Sequence, residues 1–216
     1  EPPKKNDSLA RIFSLLRNST NIDFTHYKSN TIQRRIARRM VLQKTDDLDK
    51  YAKYLETQPE EVNALFADIL IHVTGFFRDK KAFEILRTRI LPKYMKSRDR
   101  SLPFRMWVPG CSTGEEAYSL AMTFMEFQEE SKEHSKIRTP LSIFATDISE
   151  QALQKARAAI YPESITEDVS KERLRKFFEK VEGGGYRIAK WLRDTCLFSR
   201  HDVTRDPPFA KVDLIS

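Results

Sequence analysis

Hydrophobic residues in the first third of the chain recur every three or four positions, which is the period of an amphipathic α-helix. The pattern predicts four helices, beginning near residues 8, 30, 48 and 59. Asp47 stands where a helix cap is expected, and Pro59 followed by two acids is typical of a first helical turn. No glycine occurs before Gly75, so the composition favours helix throughout this segment.

The pattern changes near residue 104. Residues 104–108 and 141–145 form short apolar runs rich in β-formers, and a segment with helical periodicity follows each of them. Strands that alternate with helices predict a parallel sheet covered by helices. We therefore expect an α/β chain with an all-helical domain over residues 1–72 and a Rossmann-like domain over residues 73–216. The adjacent aromatic residues Phe76 and Phe77 predict a hinge between the two domains, with these side chains as its anchors.

Two glycines and two hydroxyl residues mark the junction between the run at 104–108 and the next helix. They are Gly110, Ser112, Thr113 and Gly114. Glycine lets the backbone approach a ligand closely, and a helix N-terminus presents unpaired N–H groups. The position matches the first turn of a nucleotide-binding sheet, although the spacing is not G-x-G-x-x-G. From these residues alone, the interpretations as a ligand site and as an ordinary tight turn both stay open.

An acidic residue ends the next predicted strand. Asp147 follows the run at 141–145, and Ser149 with Glu150 then begins a helix. In a strand–turn–helix–strand unit, an acid at this position can accept hydrogen bonds from both hydroxyls of a ribose. An acid at a strand end can equally be a helix cap or a turn residue, so both interpretations stay open.

The helix predicted over residues 30–44 concentrates arginine on one side. On a helical wheel most of its apolar residues occupy one half, and the other half carries Arg34, Arg35, Arg38 and Arg39, with Leu42 among them. No acidic residue between positions 30 and 44 offsets them. Because arginine suits two-point contact with carboxylate or phosphate, this face is a candidate for docking an acidic surface. A solvated face is the alternative.

The overall composition narrows the class of protein. The 38 lysines and arginines exceed the 31 acids by a net charge of +7, which fits an acidic partner. Cys111 and Cys196 lie far apart and the four histidines are scattered, so no metal site is expected. No apolar run of transmembrane length and no signal peptide is recognisable, which predicts a cytoplasmic protein or a cytoplasmic part of a larger one.

Several motifs occur in the order and spacing of one known family. They are TGFFR at 74–78, GCSTGEE at 110–116, ATDI at 145–148, AAIYP at 158–162 and VDLIS at 212–216. With these motifs and its arginine-bearing helix, the chain resembles the CheR family of chemotaxis receptor glutamate methyltransferases from about residue 8 to its end. Other stretches, such as DPPF at 206–209, are most similar to CheR modules of hybrid proteins that also carry methylesterase or sensor segments.

The resemblance implies a helical receptor-docking domain followed by a class I methyltransferase domain that binds S-adenosylmethionine. The implied substrates are glutamate side chains on the cytoplasmic helices of chemoreceptors, with no role for nucleic acid or membrane insertion. The candidate cofactor-binding residues are Gly110 of the glycine turn and, carried over from the family, His72, Thr74, Arg78, Glu116, Asp147, Asp202 and Val203. Arg78 is also the candidate catalytic residue, since it can hold a carboxylate of the cofactor or of the substrate. The four arginines become the candidate docking residues.

The chain departs from the family pattern at two residues and at its end. His72 and Asp202 stand where the family often has asparagine, and a carboxylate at Asp202 can only accept hydrogen bonds. The family continues beyond the last strand with a Cys-Arg-Asn segment and an Ile-Tyr pair that close the cofactor pocket. Their absence predicts a truncated methyltransferase domain and puts the activity of the isolated chain in question.

The implied chemistry needs no catalytic triad or carboxylate pair, and the sequence shows none. A glutamate side chain is already ionised near pH 7, so catalysis rests on positioning and on exclusion of water. Two alternatives remain. A nucleic-acid methyltransferase accounts for the positive charge and for the Asp-Pro-Pro-Phe sequence, although that motif should follow a strand rather than precede one. A non-catalytic cofactor-binding or docking module of a signalling hybrid accounts for the same motifs.

Overall fold

The chain forms two compact units, Glu1–Ile71 and His72–Ser216, termed the N-terminal unit and the C-terminal unit. The structure is a computed structural model, and it describes residues 5–20, 22–24, 27, 29–70, 74–131 and 138–216. Within these residues, no helix is both long enough and apolar enough to cross a bilayer.

The N-terminal unit is helical, as its periodicity predicts. Its described helices are α1 (Lys5–Thr20), α2 (Ser29–Leu42), α3 (Leu48–Thr57) and α4 (Pro59–Ile69). Asp47 caps α3, because its side chain accepts hydrogen bonds from the backbone N–H groups of Asp49 and Lys50. Helix α2 buries Ile32 and Ile36 of its apolar half, but Val41 of the same half is 76% exposed. The apolar half that the helical wheel predicts is therefore only partly internal, since α4 is the main neighbour that covers α2.

The C-terminal unit combines two sheets with helices. Its strands are β1 (Phe104–Pro109), β2 (Leu141–Asp147), β3 (Ile160–Tyr161), β4 (Phe178–Lys180), β5 (Tyr186–Ile188), β6 (Cys196–Arg200) and β7 (Leu214–Ile215). Its α-helices are α5 (Lys80–Ile85), α6 (Leu91–Met95), α7 (Glu115–Glu130), α8 (Glu150–Ala158), α9 (Lys171–Phe177) and α10 (Lys190–Arg193). A π-helical turn, Leu86–Ile90, joins α5 to α6, and a 3₁₀ helix spans Glu163–Glu167.

The larger sheet is parallel and has the strand order β6-β2-β1-β7. Helix α7 connects β1 to β2, which confirms the predicted alternation of strand and helix. Counted in the order in which the parallel strands occur, the arrangement is 3-2-1-4, as in the first part of a doubly wound Rossmann sheet. Met106 and Ile143 on one sheet face join Ala121 of α7 and Leu153 of α8 in the hydrophobic core.

The smaller sheet is antiparallel and has the strand order β3-β5-β4. The sequence pattern predicts a helix over residues 170–181, but α9 ends at Phe177 and the chain continues as β4. Phe178 pairs with Ile188 across the sheet and packs edge-on against Phe76 at 5.6 Å. Tertiary packing of this aromatic side chain thus overrides the local helical periodicity.

Candidate cofactor site

The glycine turn leaves β1 at the edge of the sheet where the parallel strands end. Its backbone adopts positive φ at Gly110 (69°), Ser112 (49°) and Gly114 (94°). The N–H of Cys111 donates to the carbonyl of Thr146 at 2.9 Å, which ties the turn to the end of β2. Because the strands run in parallel, the end of β2 brings Asp147 to this same edge.

Glycine occupies the two positions of the turn for different structural reasons. A β-carbon at Gly110 would have no neighbouring atom within 4 Å, so this glycine faces open space. A β-carbon at Gly114 would lie 2.9 Å from Cβ of Ala156 and 3.2 Å from the hydroxyl of Tyr161. Gly114 therefore serves the close packing of α7 against α8, whereas Gly110 leaves room for a ligand.

Asp147 joins the segments that end at this edge. Its Oδ2 accepts a hydrogen bond from the N–H of Ser112 at 2.8 Å, and its Oδ1 accepts one from the N–H of Ser149 at 2.8 Å. Its backbone carbonyl accepts a third from the N–H of His201, after β6. The interpretation of Asp147 as a turn residue is thus correct, and each carboxylate oxygen still has lone-pair capacity for a further donor.

The first turn of α7 carries two carboxylates. Burial raises the pKa of Glu115, against an opposing effect of hydrogen bonds from the Thr113 hydroxyl at 2.7 and 2.9 Å. Glu116 accepts a hydrogen bond from the hydroxyl of Ser216. These acids lie where the N-terminus of a helix would otherwise attract a phosphate. The turn therefore suits a ligand that carries positive charge and no phosphate.

The segment that carries Thr74 and Arg78 is anchored by the two aromatic residues between them. Phe76 and Phe77 are 1% and 2% exposed, whereas Arg78 is exposed and Thr74 is half-buried. The backbone N–H of Phe77 donates to the hydroxyl of Ser119 on α7 at 3.0 Å. His72, the other candidate in this region, lies outside the described residues.

The segment after β6 holds the last two candidates. Oδ1 of Asp202 accepts hydrogen bonds from the N–H and the hydroxyl of Thr204, at 2.9 and 2.7 Å. The N–H of Asp202 donates to Asp206 at 2.8 Å. Val203 is 59% exposed. Asp202 is thus partly engaged in its own turn, and its Oδ2 is the atom with capacity for a ligand.

The Asp-Pro-Pro-Phe sequence packs against the sheet. Phe209 lies 5.0 Å from the ring of Phe144 and 5.5 Å from that of Trp107. The carbonyl of Pro207 lies 3.1 Å from Nε2 of His201, which is 9% exposed. This packing role explains the segment without the base-methylating function that its sequence superficially suggests.

The structure does not bring the four arginines of α2 together on one open face. Arg39 lies against Glu61 of α4, with its Nε 2.9 Å from Oε1, and Glu61 is 5% exposed. Tyr51 and Gln43 also donate to this carboxylate, at 2.8 and 2.6 Å. The absence of acids within α2 is therefore misleading, because α4 supplies the partner. Arg39 does not belong to an open docking face.

The other three arginines of α2 differ in exposure. Arg34 and Arg38 are exposed, and the guanidinium of Arg38 lies 4.0 Å from Asp68. Arg35 is half-buried, and its Nε is buried without a hydrogen-bond partner in the described part of the chain. The candidate docking face is thus reduced to Arg34 and Arg38, with Arg35 at its margin.

Sequence reasoning missed Tyr161, which supports the glycine turn from the smaller sheet. Its hydroxyl donates to the carbonyl of Thr113 at 2.8 Å, and its ring packs edge-on against Phe76 at 4.8 Å. Burial raises the pKa of this phenol well above its usual value, so it stays protonated as a donor. The residue stands in a motif shared with the family, but its position in the sequence does not reveal the contact with a turn at residue 113.

A parallel sheet in doubly wound order, a glycine turn with an acidic first helical turn, and an aspartate ending the next strand define a nucleoside-binding α/β domain of the methyltransferase type. Comparison with known families makes this specific. Residues 7–70 match the all-alpha domain of CheR methyltransferases, and residues 72–216 match their SAM binding domain. The chain belongs to the CheR methyltransferase family, which confirms the expected fold class and the expected cofactor, S-adenosylmethionine.

The chain is also similar to several individual proteins. It is 37% identical over 211 residues to the 104.1 kDa protein in the hypE 3′ region of Rhodobacter capsulatus, which covers 97% of this chain and 22% of that protein. It is 28% identical over 215 residues to the chemotaxis protein methyltransferase of Borreliella burgdorferi, covering 97% and 75% of the two chains. The corresponding protein of Listeria monocytogenes is 30% identical over 202 residues, covering 93% and 72%. The chain thus spans about a fifth of the first relative and about three quarters of the others.

Proposed function

We propose that this protein is a protein-glutamate O-methyltransferase that transfers a methyl group from S-adenosylmethionine to glutamate side chains of chemotaxis receptors. The match of both units to the two CheR domains, in the family's order, carries the proposal. The names of the Borreliella and Listeria relatives, chemotaxis protein methyltransferases, support the receptor as substrate.

The residues at the carboxyl edge of the sheet fit S-adenosylmethionine. Gly110 faces open space, and Asp147 retains acceptor capacity suited to a ribose. Glu116 supplies negative charge for a cofactor with a sulfonium and an ammonium group. Arg78 has the charge and the donor geometry to hold a carboxylate.

The residues would act by holding groups rather than by exchanging protons. The bound cofactor supplies a methyl group that its sulfonium has already activated for transfer. Thr74 and Arg78 would orient the amino-acid end of the cofactor or the carboxylate of the substrate, and Asp147 would fix the ribose. Since the substrate glutamate is ionised near pH 7, no side chain has to remove a proton from it. Positioning and water exclusion then account for the rate.

Docking of the receptor is assigned to the exposed arginines of α2. Arg34 and Arg38 are exposed, although Arg38 lies 4.0 Å from Asp68, whereas Arg39 is engaged with the buried Glu61. Two guanidinium groups on adjacent helical turns suit an acidic helix, because they can contact carboxylates along one side of it.

A place within a larger hybrid signalling protein, with methylesterase or sensor segments, is part of the proposal. The similarity to the 104.1 kDa protein of Rhodobacter capsulatus supports it, because this chain matches about a fifth of that protein.

Two measurements test the proposed function. Calorimetry with S-adenosylmethionine should detect one binding site per chain. The full-length protein should then transfer labelled methyl groups to a chemoreceptor, and mild alkali should release the label because methyl esters hydrolyse whereas N-methyl groups do not. A receptor whose acceptor glutamates are replaced by alanine is the control. Alkali-stable label, or equal label on the control receptor, would overturn the proposal.

A further inference from the structure

We propose that Ser119 and Arg173 are positioning residues that hold Phe77, and with it Thr74 and Arg78, in the conformation required for cofactor binding. The inference rests on the proposed function, which assigns Thr74 and Arg78 to the cofactor. Ser119 and Arg173 act through Phe77 and are not candidates for direct contact with the cofactor.

Phe77 has a backbone conformation that needs support. Its φ is +49°, in the left-handed region where the β-carbon of a non-glycine residue crowds its own backbone. The residue is nevertheless 2% exposed and immediately precedes Arg78. Strain of this kind persists only when surrounding contacts fix the residue, and it is concentrated at binding sites.

Ser119 fixes the backbone of Phe77. Its side chain is fully buried in α7, and its hydroxyl donates to the carbonyl of Glu115 at 2.7 Å. With its single proton so directed, the oxygen is free to accept the hydrogen bond from the N–H of Phe77 at 3.0 Å. The serine therefore orients the peptide group between Phe76 and Phe77, one residue before Arg78.

Arg173 fixes the ring of Phe77. The guanidinium carbon lies 3.8 Å from the centre of the ring, as in a cation–π contact. Both oxygens of Glu126 accept hydrogen bonds from Arg173, at 2.7 and 2.8 Å, which hold the guanidinium in place. The ring also packs edge-on against Phe83 at 5.2 Å.

Helix α7 connects both halves of the candidate site. Its first turn carries Glu116 next to the glycine turn, and the same helix carries Ser119 and Glu126, which are seven residues and thus about two helical turns apart. One contact to Phe77 therefore comes from α7 itself, through Ser119, and the other comes from Arg173 of α9, which Glu126 of α7 holds in place. Without them, Arg78 would sample several positions, and the apparent affinity for the cofactor would fall with the fraction of competent conformers.

Variants with matched controls test this assignment. Ser119→Ala removes the hydroxyl that holds Phe77, whereas Thr123→Val removes a buried hydroxyl one turn later that donates only to the carbonyl of Ser119. Arg173→Met removes the ring contact, whereas Arg175→Met changes an exposed arginine of the same helix. Ser119→Ala and Arg173→Met should each raise the Kd for S-adenosylmethionine about tenfold, and the controls less than about twofold.

Hydrogen exchange of residues 74–79 in the cofactor-free protein provides a readout independent of binding. Exchange at Phe77 should accelerate in Ser119→Ala and stay slow in Thr123→Val. Unchanged exchange and unchanged Kd in both Ser119→Ala and Arg173→Met would overturn the positioning role. If the wild-type protein failed to bind the cofactor, the proposed function would fall, while the exchange data would still decide whether Phe77 is held. Should Ser119→Ala unfold, Arg173→Met decides alone, since it leaves the interior of α7 intact.

Discussion

The backbone N–H of Ser112 donates to Oδ2 of Asp147 at 2.8 Å, so a strand-end carboxylate holds the glycine turn of the neighbouring strand. The other oxygen of Asp147 accepts a hydrogen bond from the N–H of Ser149, which is the N-cap residue of α8. One side chain thus fixes the two loops that border the candidate cofactor site. The same carboxylate is proposed to bind the ribose, so a structural role and a proposed binding role fall on one side chain.

Replacing Asp147 by asparagine should weaken cofactor binding at least about tenfold. An amide has one acceptor oxygen, so its NH₂ group would face the N–H of Ser112 or of Ser149, and the unmatched pair would cost about 1 to 3 kcal/mol. Calorimetry and thermal unfolding measure the two effects. Asp99→Asn is the matched control outside the candidate site: both of its side-chain bonds use Oδ1, which an amide oxygen can replace. Equal affinity of Asp147→Asn and wild type would contradict the assignment.

The two glycines of the turn should respond differently to alanine. Gly114→Ala combines positive φ with a contact of 2.9 Å to Ala156, and it should lower the free energy of unfolding by about 3 kcal/mol. Gly110→Ala meets no protein atom and should cost about 1 kcal/mol through φ alone, yet it should impair cofactor binding by filling the open space. Urea unfolding and calorimetry on both variants check this. Normal cofactor affinity in Gly110→Ala would show that the ligand does not approach there.

Reversing the exposed charges of α2 should weaken receptor docking without affecting the cofactor. Arg34→Glu with Arg38→Glu should reduce receptor binding more than about tenfold at low salt and much less at high salt, because exposed charges are screened. Lys50→Glu with Lys53→Glu on α3 is the control, since it makes the same change of charge on exposed residues of the same unit. A co-sedimentation assay with receptor-containing membranes measures both. Equal losses in the two double variants would indicate a nonspecific charge effect.

Arg39 should contribute to stability rather than to docking. Arg39→Met leaves the carboxylate of Glu61 buried beside Tyr51 and Gln43 without its positive partner, which should cost about 2 kcal/mol. Far-ultraviolet circular dichroism should follow this loss, because the N-terminal unit contains no tryptophan. Unchanged stability together with reduced receptor binding would return Arg39 to the docking face.

Asp213 should make the C-terminal unit sensitive to acid. Burial tends to raise the pKa of its carboxyl, but hydrogen bonds from the Arg105 backbone, Arg98 and Tyr94 outweigh burial and lower it. A lowered folded-state pKa means that the stabilisation is complete above the unfolded pKa of about 3.9 and is lost as pH falls through the folded value. Asp213→Asn should therefore be less stable at pH 7, and its stability should vary less between about pH 5 and 2.

Tryptophan fluorescence during urea unfolding measures this difference, because both tryptophans, Trp107 and Trp191, lie in the C-terminal unit. Asp194→Asn is the control, since it disrupts only an exposed pair with Lys190. Parallel pH profiles for Asp213→Asn and wild type would show that Asp213 does not supply the acid sensitivity.

Most of the order of helices and strands was predictable, but strand β4 and several contacts were not. The periodicity of the N-terminal unit and the alternation after residue 104 are local properties, and the structure reproduces both. The strand β4 was missed because Phe178 continues a helical pattern while its packing against Phe76 lies a hundred residues away in sequence. The arginine face was overestimated for the same reason, since Glu61 belongs to another helix.

By itself, the sequence determined the two-part architecture, the position of the glycine turn, and the family to which the chain belongs. These follow from short-range features: periodicity, turn residues and motifs read along the chain. Only the tertiary structure decided which glycine faces open space, which oxygen of Asp147 holds which loop, and that Ser119 and Arg173 converge on Phe77. Such relationships depend on distances between residues that are remote in sequence, and no local pattern encodes them.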